Sequence, residues 1–284
     1  RYYLALASRG FVILSGVSGT GKTWLAEEYG RAIGARVLVV PVAPNWTANE
    51  DLLGFADPIT GAYRDTAFSR FLREAAAEHA ESRRAGRQAR EHHLVLDEMN
   101  LARVEYYFAT FLSGMELRMR AGEARIELGS NDAVILPPNL KFIGTINVDE
   151  TTHGFADKVY DRSQVIELTV SREDLEEHLG GAPYRAALLD VWDVVHTVAP
   201  FAFRVVDDAG RYITSAEHLE IPWQELLDEI ILQKVLPKIR GADPQIGDAL
   251  SRLEELTLDR FPLSHAKICA MRNTFQQHGV ASYF

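Results

Sequence analysis

Cysteine is nearly missing from this 284-residue chain: Cys269 stands alone. One cysteine excludes an internal disulfide and any multi-cysteine metal site, and it suits a reducing, cytoplasmic setting. Long apolar runs are missing too. No stretch approaches the roughly eighteen uninterrupted apolar residues of a membrane span, so no membrane is expected as partner. The N-terminus shows no charged-then-apolar leader pattern. Positive charge is scarce: 30 Lys and Arg stand against 40 Asp and Glu, a formal net charge of −10. That argues against a surface coated for nucleic acid and leaves room for a basic pore or groove. The first residue is Arg1 rather than Met, as expected of a processed or excised piece of something longer. What is present, 47% hydrophobic and 25% charged residues, is globular in composition and long enough for one large core or two domains.

Against that background one stretch stands out, Gly16-Val17-Ser18-Gly19-Thr20-Gly21-Lys22-Thr23. It follows the apolar run Phe11-Val12-Ile13-Leu14 and enters a helical pattern from Trp24 to Tyr29. Strand, glycine-rich loop and helix form the setting of a phosphate cradle: backbone N–H groups aim inward from a tight loop, and the positive end of the next helix faces the anion. Gly16, Gly19 and Gly21 supply the backbone freedom with no Cβ in the way. Lys22 is expected on the β- and γ-phosphates and the Thr23 hydroxyl on Mg2+. The alternative is an ordinary glycine-rich turn, against which the flanking strand and helix weigh.

The first half of the chain then alternates. The helix after the loop runs to about Gly34, a residue able to cap it. Arg36 to Ala43 reads as a buried strand whose central part ends at Pro41. Residues 45–64 are rich in turn formers, with Asp57-Pro58 as a breaker, and read as a loop with a short excursion. Phe68 to about Ala89 is helical and ends in Arg83, Arg84, Arg87 and Arg90, either a solvated face or a patch for nucleic acid or a partner. His92 to Glu98 is an apolar strand ending in two acids. Beside a phosphate loop, Asp97 is placed to hold the Mg2+ shell and Glu98 to orient and polarise the attacking water. His92 and His93 lack partners at ligand spacing and read as structural. Leu101 to Leu117 has apolar residues at Val104, Phe108, Phe111 and Leu112, the spacing of a core-facing helical stripe. Arg118 to Ile135 reads as a β-hairpin turning at Gly129-Ser130-Asn131-Asp132. Leu140 to Asn147 is a further buried strand, with Asn147 at its tip placed for the γ-phosphate or the lytic water. A short helix ends at Lys158 to Arg162, and Gln164 to Leu168 forms another strand.

The set Gly16 to Thr23, Asp97-Glu98, Asn147 and Arg162, in that order and with those gaps, resembles the Walker A, Walker B, sensor 1 and arginine finger of an AAA+ NTPase. The segment DLLGFADPITGAY and the hairpin before Asn147 are similar to the branch with a helix-2 insert and a pre-sensor-1 hairpin, which includes MoxR-type ATPases, dynein-like motors and McrB. Within it, LVLDEMNLARVEYYFATFLSGME and FIGTINVDETTHGFADKVYDRSQVIEL are most similar to the McrB group of restriction motors. The resemblance implies an α/β fold: a P-loop AAA+ core over residues 1–169, its parallel sheet flanked by helices, with an insert at about 45–64 and a hairpin at about 118–136, then an all-helical lid over 170–284. It also implies Mg2+ with ATP or GTP, a homo-oligomeric ring (a hexamer) and Arg162 inserted into the neighbouring subunit's site. GTP-using McrB proteins carry Met-Asn-Thr-Ala-Asp-Arg-Ser at sensor 1. Here Ile146-Asn147-Val148-Asp149-Glu150-Thr151-Thr152 keeps the Asn and puts Thr151 at the Arg position, which leaves the base open between ATP and GTP.

From about Ser171 the pattern is helical throughout. Ser171 is an N-cap with acids in the turn after it, and helical periods follow at 184–198, 204–213, 223–239 and 264–277. The resemblance makes this the lid and puts Arg204 at sensor 2, on the γ-phosphate; the alternative is an arginine on a helix surface. Lys267 and Arg272 are further candidates. Three functions are compatible with these residues. The chain is the motor subunit of an McrBC-like DNA restriction or phage-defence system that drives a separate partner nuclease, with DNA reached through the assembly or a domain outside this chain. It is a MoxR-like chaperone remodelling a protein partner. Or it is a nucleotide-dependent scaffold with little turnover.

Overall fold

Unbroken apolar runs form strands buried on both faces, and apolar stripes at helical spacing form helices with one packed face. Both rules govern the computed structural model, which describes residues 1–57, 59–128, 132–148 and 153–284. The chain opens with a helix the patterning did not announce, Tyr2–Arg9 (α1), closed by Gly10 at φ 71°. Phe11–Gly16 (β1) leads into Lys22–Ala32 (α2) and then Arg36–Pro41 (β2). Asn49–Leu53 (α3), Gly54–Ala56 (β3) and Tyr63–Asp65 (β4) precede the long helix Ala67–Arg84 (α4) and His92–Asp97 (β5). After a 3-10 turn at Met99–Leu101 come Val104–Tyr107 (α5), Ala109–Ala121 (α6), Arg125–Glu127 (β6) and Ala133–Ile135 (β7). Leu140–Asn147 (β8), Asp157–Tyr160 (α7) and Gln164–Glu167 (β9) complete this half.

Five strands form one parallel sheet in the order β2-β5-β8-β1-β9. Alternate residues of β1 feed opposite faces, as strand geometry requires. Phe11 and Ile13 join Phe68, Phe108, Phe111 and Phe142 on one side, where the Phe108 and Phe142 rings meet edge-on at 5.2 Å. Val12 and Leu14 join Leu6, Ala26, Val95 and Ile143 on the other. Gly30 permits α2 to lie close to the sheet, since a Cβ there would fall 2.4 Å from Val37 Cγ2.

Several expectations from the sequence need correction. The Arg36 strand is an edge strand bonded to β5 alone and only half-buried; its apolar run has one sheet neighbour instead of two. Residues 45–64 are more than a loop. They hold α3 and part of the antiparallel β3–β4 pair, where Gly54, at φ 98°, sits so near β4 that a Cβ would lie 2.0 Å from the Arg64 carbonyl. Pro58 lies outside the described residues. The 101–117 helix is broken at Phe108, and α6 runs on to Ala121, so Arg118 is helical and the β6–β7 hairpin is confined to 125–135. Its expected turn at 129–131 lies outside the described residues. Helix α4 stops at Arg84, leaving Arg87 and Arg90 beyond it.

The contacts divide the chain into two compact units, Arg1–Gly16 with Gly21–Leu168, and Val17–Thr20 with Thr169–Phe284. The second is helical: Arg172–Leu179 (α8), Arg185–Val195 (α9), Phe203–Ser215 (α10), Trp223–Ile230 (α11), Pro244–Thr257 (α12) and Pro262–His278 (α13). Ser171 caps α8 by accepting from the Asp174 amide at 3.2 Å. The period after Trp223 ends sooner than its spacing suggests, because α11 gives way to a π-turn over Ile231–Val235. Helix α12, which the sequence reading missed, pairs with α13. Buried Asp228 accepts the Leu263 and Ser264 amides, each at 2.8 Å, and so caps α13 from α11.

Candidate active site

The C-terminal tips of three neighbouring parallel strands, β5, β8 and β1, gather the expected polar residues, the place where open α/β sheets present their ligand crevice. The register aligns Gly16 with Asn147 and Leu96 with Gly144. Gly16, Gly19 and Gly21 all take positive φ, at 153°, 87° and 83°, which L side chains adopt with strain. Val17 and Thr20 close the loop on itself: the Thr20 amide and hydroxyl both donate to the Val17 carbonyl, the hydroxyl at 3.1 Å. Lys22 begins α2 and is buried; its Nζ donates to the Gly16 carbonyl at 2.9 Å. The ammonium is therefore held at the tip of β1.

Next to it, the Thr23 hydroxyl donates to Asp97 Oδ1 at 2.5 Å. Thr145 donates to the same Oδ1 at 2.8 Å and accepts from the Glu98 amide at 2.9 Å. Glu98 adopts the left-handed conformation at φ 53°, uncommon for a residue other than glycine and typical of places where backbone strain serves a site. Its Oε1 accepts from Asn147 Nδ2 at 3.1 Å. A hydroxyl and a carboxylate within hydrogen-bond reach of each other are the hard oxygen donors Mg2+ takes, alongside phosphate oxygens and retained waters. Thr23 and Asp97 fit that ion.

Arg162 goes elsewhere. Its Nε donates to the Leu112 carbonyl at 3.1 Å, its Nη1 to the Lys158 carbonyl at 2.9 Å, and its Nη2 pairs with Glu116. Arg204 Nη1 donates to Ser18 Oγ at 3.1 Å, both residues belonging to the second unit. A Cβ on Gly19 would lie 2.6 Å from Arg204 Cβ. Lys267 sits 4.3 Å from the Tyr283 ring centroid and Arg272 pairs with Glu254. The Thr151 position lies outside the described residues.

Sequence reasoning missed Thr145 and Gly144. A Cβ on Gly144 would fall 1.9 Å from Met99 Sδ, so its absence lets the turn after Glu98 settle onto β8. The available signal was a hydroxyl two residues before Asn147, hence on the same side of its strand.

Among curated proteins no match is found. Of the solved structures, that of a RuvB mutant from Thermotoga maritima is similar, with a TM-score of 0.45 and 15% identity over 81% of this chain and 66% of that one. This chain thus spans just under two thirds of the RuvB chain's length. Residues 187–280 match a domain of unknown function (DUF8727). Residues 11–162, more than half of the chain, match the AAA domain of the dynein-related subfamily. With the parallel five-stranded sheet and the glycine loop at its tip, the chain belongs to the dynein-related subfamily of AAA domains.

Proposed function

We propose that the chain is a Mg2+-dependent nucleoside-triphosphate hydrolase that works as a subunit of a ring. The observation that carries this reading is the convergence of Lys22, Thr23, Asp97, Glu98, Thr145 and Asn147 at three strand tips, through contacts spanning 74, 49 and 48 residues of sequence. Lys22 and the loop amides from Gly16 to Gly21 bind the phosphates. Thr23 and Asp97 hold Mg2+, which when bound neutralises phosphate charge. Glu98 orients and polarises water, and Asn147 holds Glu98 in position and meets the γ-phosphate or the water itself. The AAA+ resemblance gives Arg204 the sensor 2 part, and Arg162 is lent to a neighbouring copy. The finer assignment is the motor of an McrBC-like restriction or phage-defence system with a partner nuclease; it rests on the similarity of the segments around Asp97 and Asn147 to McrB.

Turnover of ATP and of GTP across a range of protein concentrations, with light scattering in each nucleotide, tests the reading. Turnover per subunit should rise as rings form. Glu98→Gln should retain nucleotide while slowing hydrolysis by roughly 10²- to 10⁴-fold; wild-type turnover in that variant would remove Glu98 from the role. A nuclease reading frame beside the gene would support the restriction motor, and a von Willebrand A-type neighbour would support a MoxR-like chaperone instead.

A further inference from the structure

A cleft of about 740 Å³ opens in the first unit between the second half of α4, the end of α6 and the chain leaving β7. Its floor is apolar and partly open to water: Met119 and Ile135 are 63% and 48% exposed, with Pro137 buried beside them. Among the described residues its walls carry His79, Arg83, Arg84 and Arg118 against a single carboxylate, Glu123. In a chain of net charge −10 this is a local reversal of sign.

The arginines here differ from their neighbours. Among the described residues Arg83, Arg84 and Arg118 form no ion pair, whereas Arg87, just beyond, is held by Glu78 at 2.8 Å. Arg118 is the telling one. It is partly buried and donates Nη1 to the Pro137 carbonyl at 2.7 Å. Burial pushes its guanidinium down from the usual arginine range. Arg118 is a half-desolvated cation with no ion-pair partner among the described residues, and a ligand's carboxylate would supply the counter-charge.

We propose that this cleft binds a short acidic peptide segment of a protein partner, its carboxylates on Arg83, Arg84 and Arg118 and one apolar side chain seated on Ile135 and Pro137. Guanidinium groups take carboxylates in bidentate pairs, and the volume lies within the range of concave ligand sites. Among the described residues the lining holds no Phe, Tyr or Trp, and so offers no platform on which bases stack. A short segment feels the local field within a Debye length of about 8 Å, whereas a long polyanion also meets the acidic remainder of the surface. None of these residues touches the strand-tip cluster, so the inference stands apart from the nucleotide reading.

Fluorescence anisotropy on the whole chain tests it, with a fluorescein-labelled dodecapeptide alternating Glu or Asp with Leu or Phe. Saturable binding is expected. The Arg83→Glu/Arg84→Glu pair should weaken it by about tenfold or more, and Ile135→Ser by a few-fold, with nucleotide turnover unchanged. Both arginines are exposed, so folding should survive, as thermal melting will show; the milder Arg83→Ala/Arg84→Ala pair must weaken binding in the same direction. Affinity unchanged in both arginine pairs, no binding of the acidic peptide, or equal binding of a Ser-substituted neutral peptide overturns the proposal. So does tighter binding of a single-stranded DNA 20-mer through the same arginines, which would make the cleft a nucleic-acid site.

Discussion

Thr145 carries one hydroxyl and uses it twice, donating to Asp97 and accepting from the Glu98 amide. Its replacement by valine keeps the shape and removes both bonds. Thr145→Val should cost about 1–3 kcal/mol of stability, because the Glu98 amide loses its partner in a half-buried turn, and turnover should fall while Thr145→Ser stays near wild type. Denaturant unfolding and steady-state kinetics on the two variants check this; a valine variant with full turnover would leave Thr145 a packing residue. Gly144 acts by omission. Gly144→Ala drives a methyl into Met99 and should destabilise by about 1–3 kcal/mol through overpacking, and Met99→Ala in the same chain should recover part of the loss by opening space. A double-mutant cycle measures that coupling. At this scale Lys22, Thr23, Asp97 and Asn147 were legible because glycines, a lysine and acids at strand ends are conspicuous. Thr145 was not, because a threonine inside an apolar strand looks like any β-branched strand former.

At the scale of elements, the join between α4 and β5 carries a pH dependence. His92 is buried at the start of β5, with Glu74 at 3.9 Å, its Nδ1 against the Arg90 carbonyl at 3.1 Å and Arg36 close by. Burial holds its imidazole below the ordinary value of 6.5. The folded state therefore prefers neutral His92, the unfolded chain binds more protons just below pH 6.5, and stability is present above that value and lost as pH falls through it toward the folded pKa. His92→Gln should melt with a shallower decline between about pH 7 and about pH 5 than the parent. Parallel declines in the two proteins would assign the acid sensitivity to other groups. The elements themselves were legible in proportion to their local signals. Helix α8 announced itself through Ser171 and α1 lacks a comparable mark; α12 has one in the Asp243 cap and Pro244 behind it, and the break at Phe108, whose ring packs against Phe11 and Phe142, is one no local spacing reveals.

For the whole molecule, the question is whether Arg162 serves its own subunit or another. In this chain it is tied to Leu112, Lys158 and Glu116, which a purely structural role would also produce. Mixing separates the two. Arg162→Ala alone and Lys22→Ala alone should each hydrolyse poorly, the first by roughly 10³-fold or more if the guanidinium completes a neighbour's site. Together they should regain turnover, since the Lys22→Ala subunit still offers Arg162 to a partner with an intact phosphate loop. No recovery in a mixture that assembles would make Arg162 a brace between α6 and α7.

The sequence alone determined the glycine loop between strand and helix, the acidic strand end, the α/β alternation and the helical second half, because each is written in residues within a few positions of one another. Which atoms meet was decided only by the tertiary structure. Thr23 and Asp97 lie 74 residues apart, and Glu98 and Asn147 lie 49 apart; they touch because β5, β8 and β1 are sheet neighbours, with β8 and β1 ending level and β5 ending beside Thr145. Strand order and register are properties of the packed sheet, which local spacing does not encode. The same packing turned the 36–43 run into an edge strand and set Arg118 beside Pro137 with no ion-pair partner among the described residues.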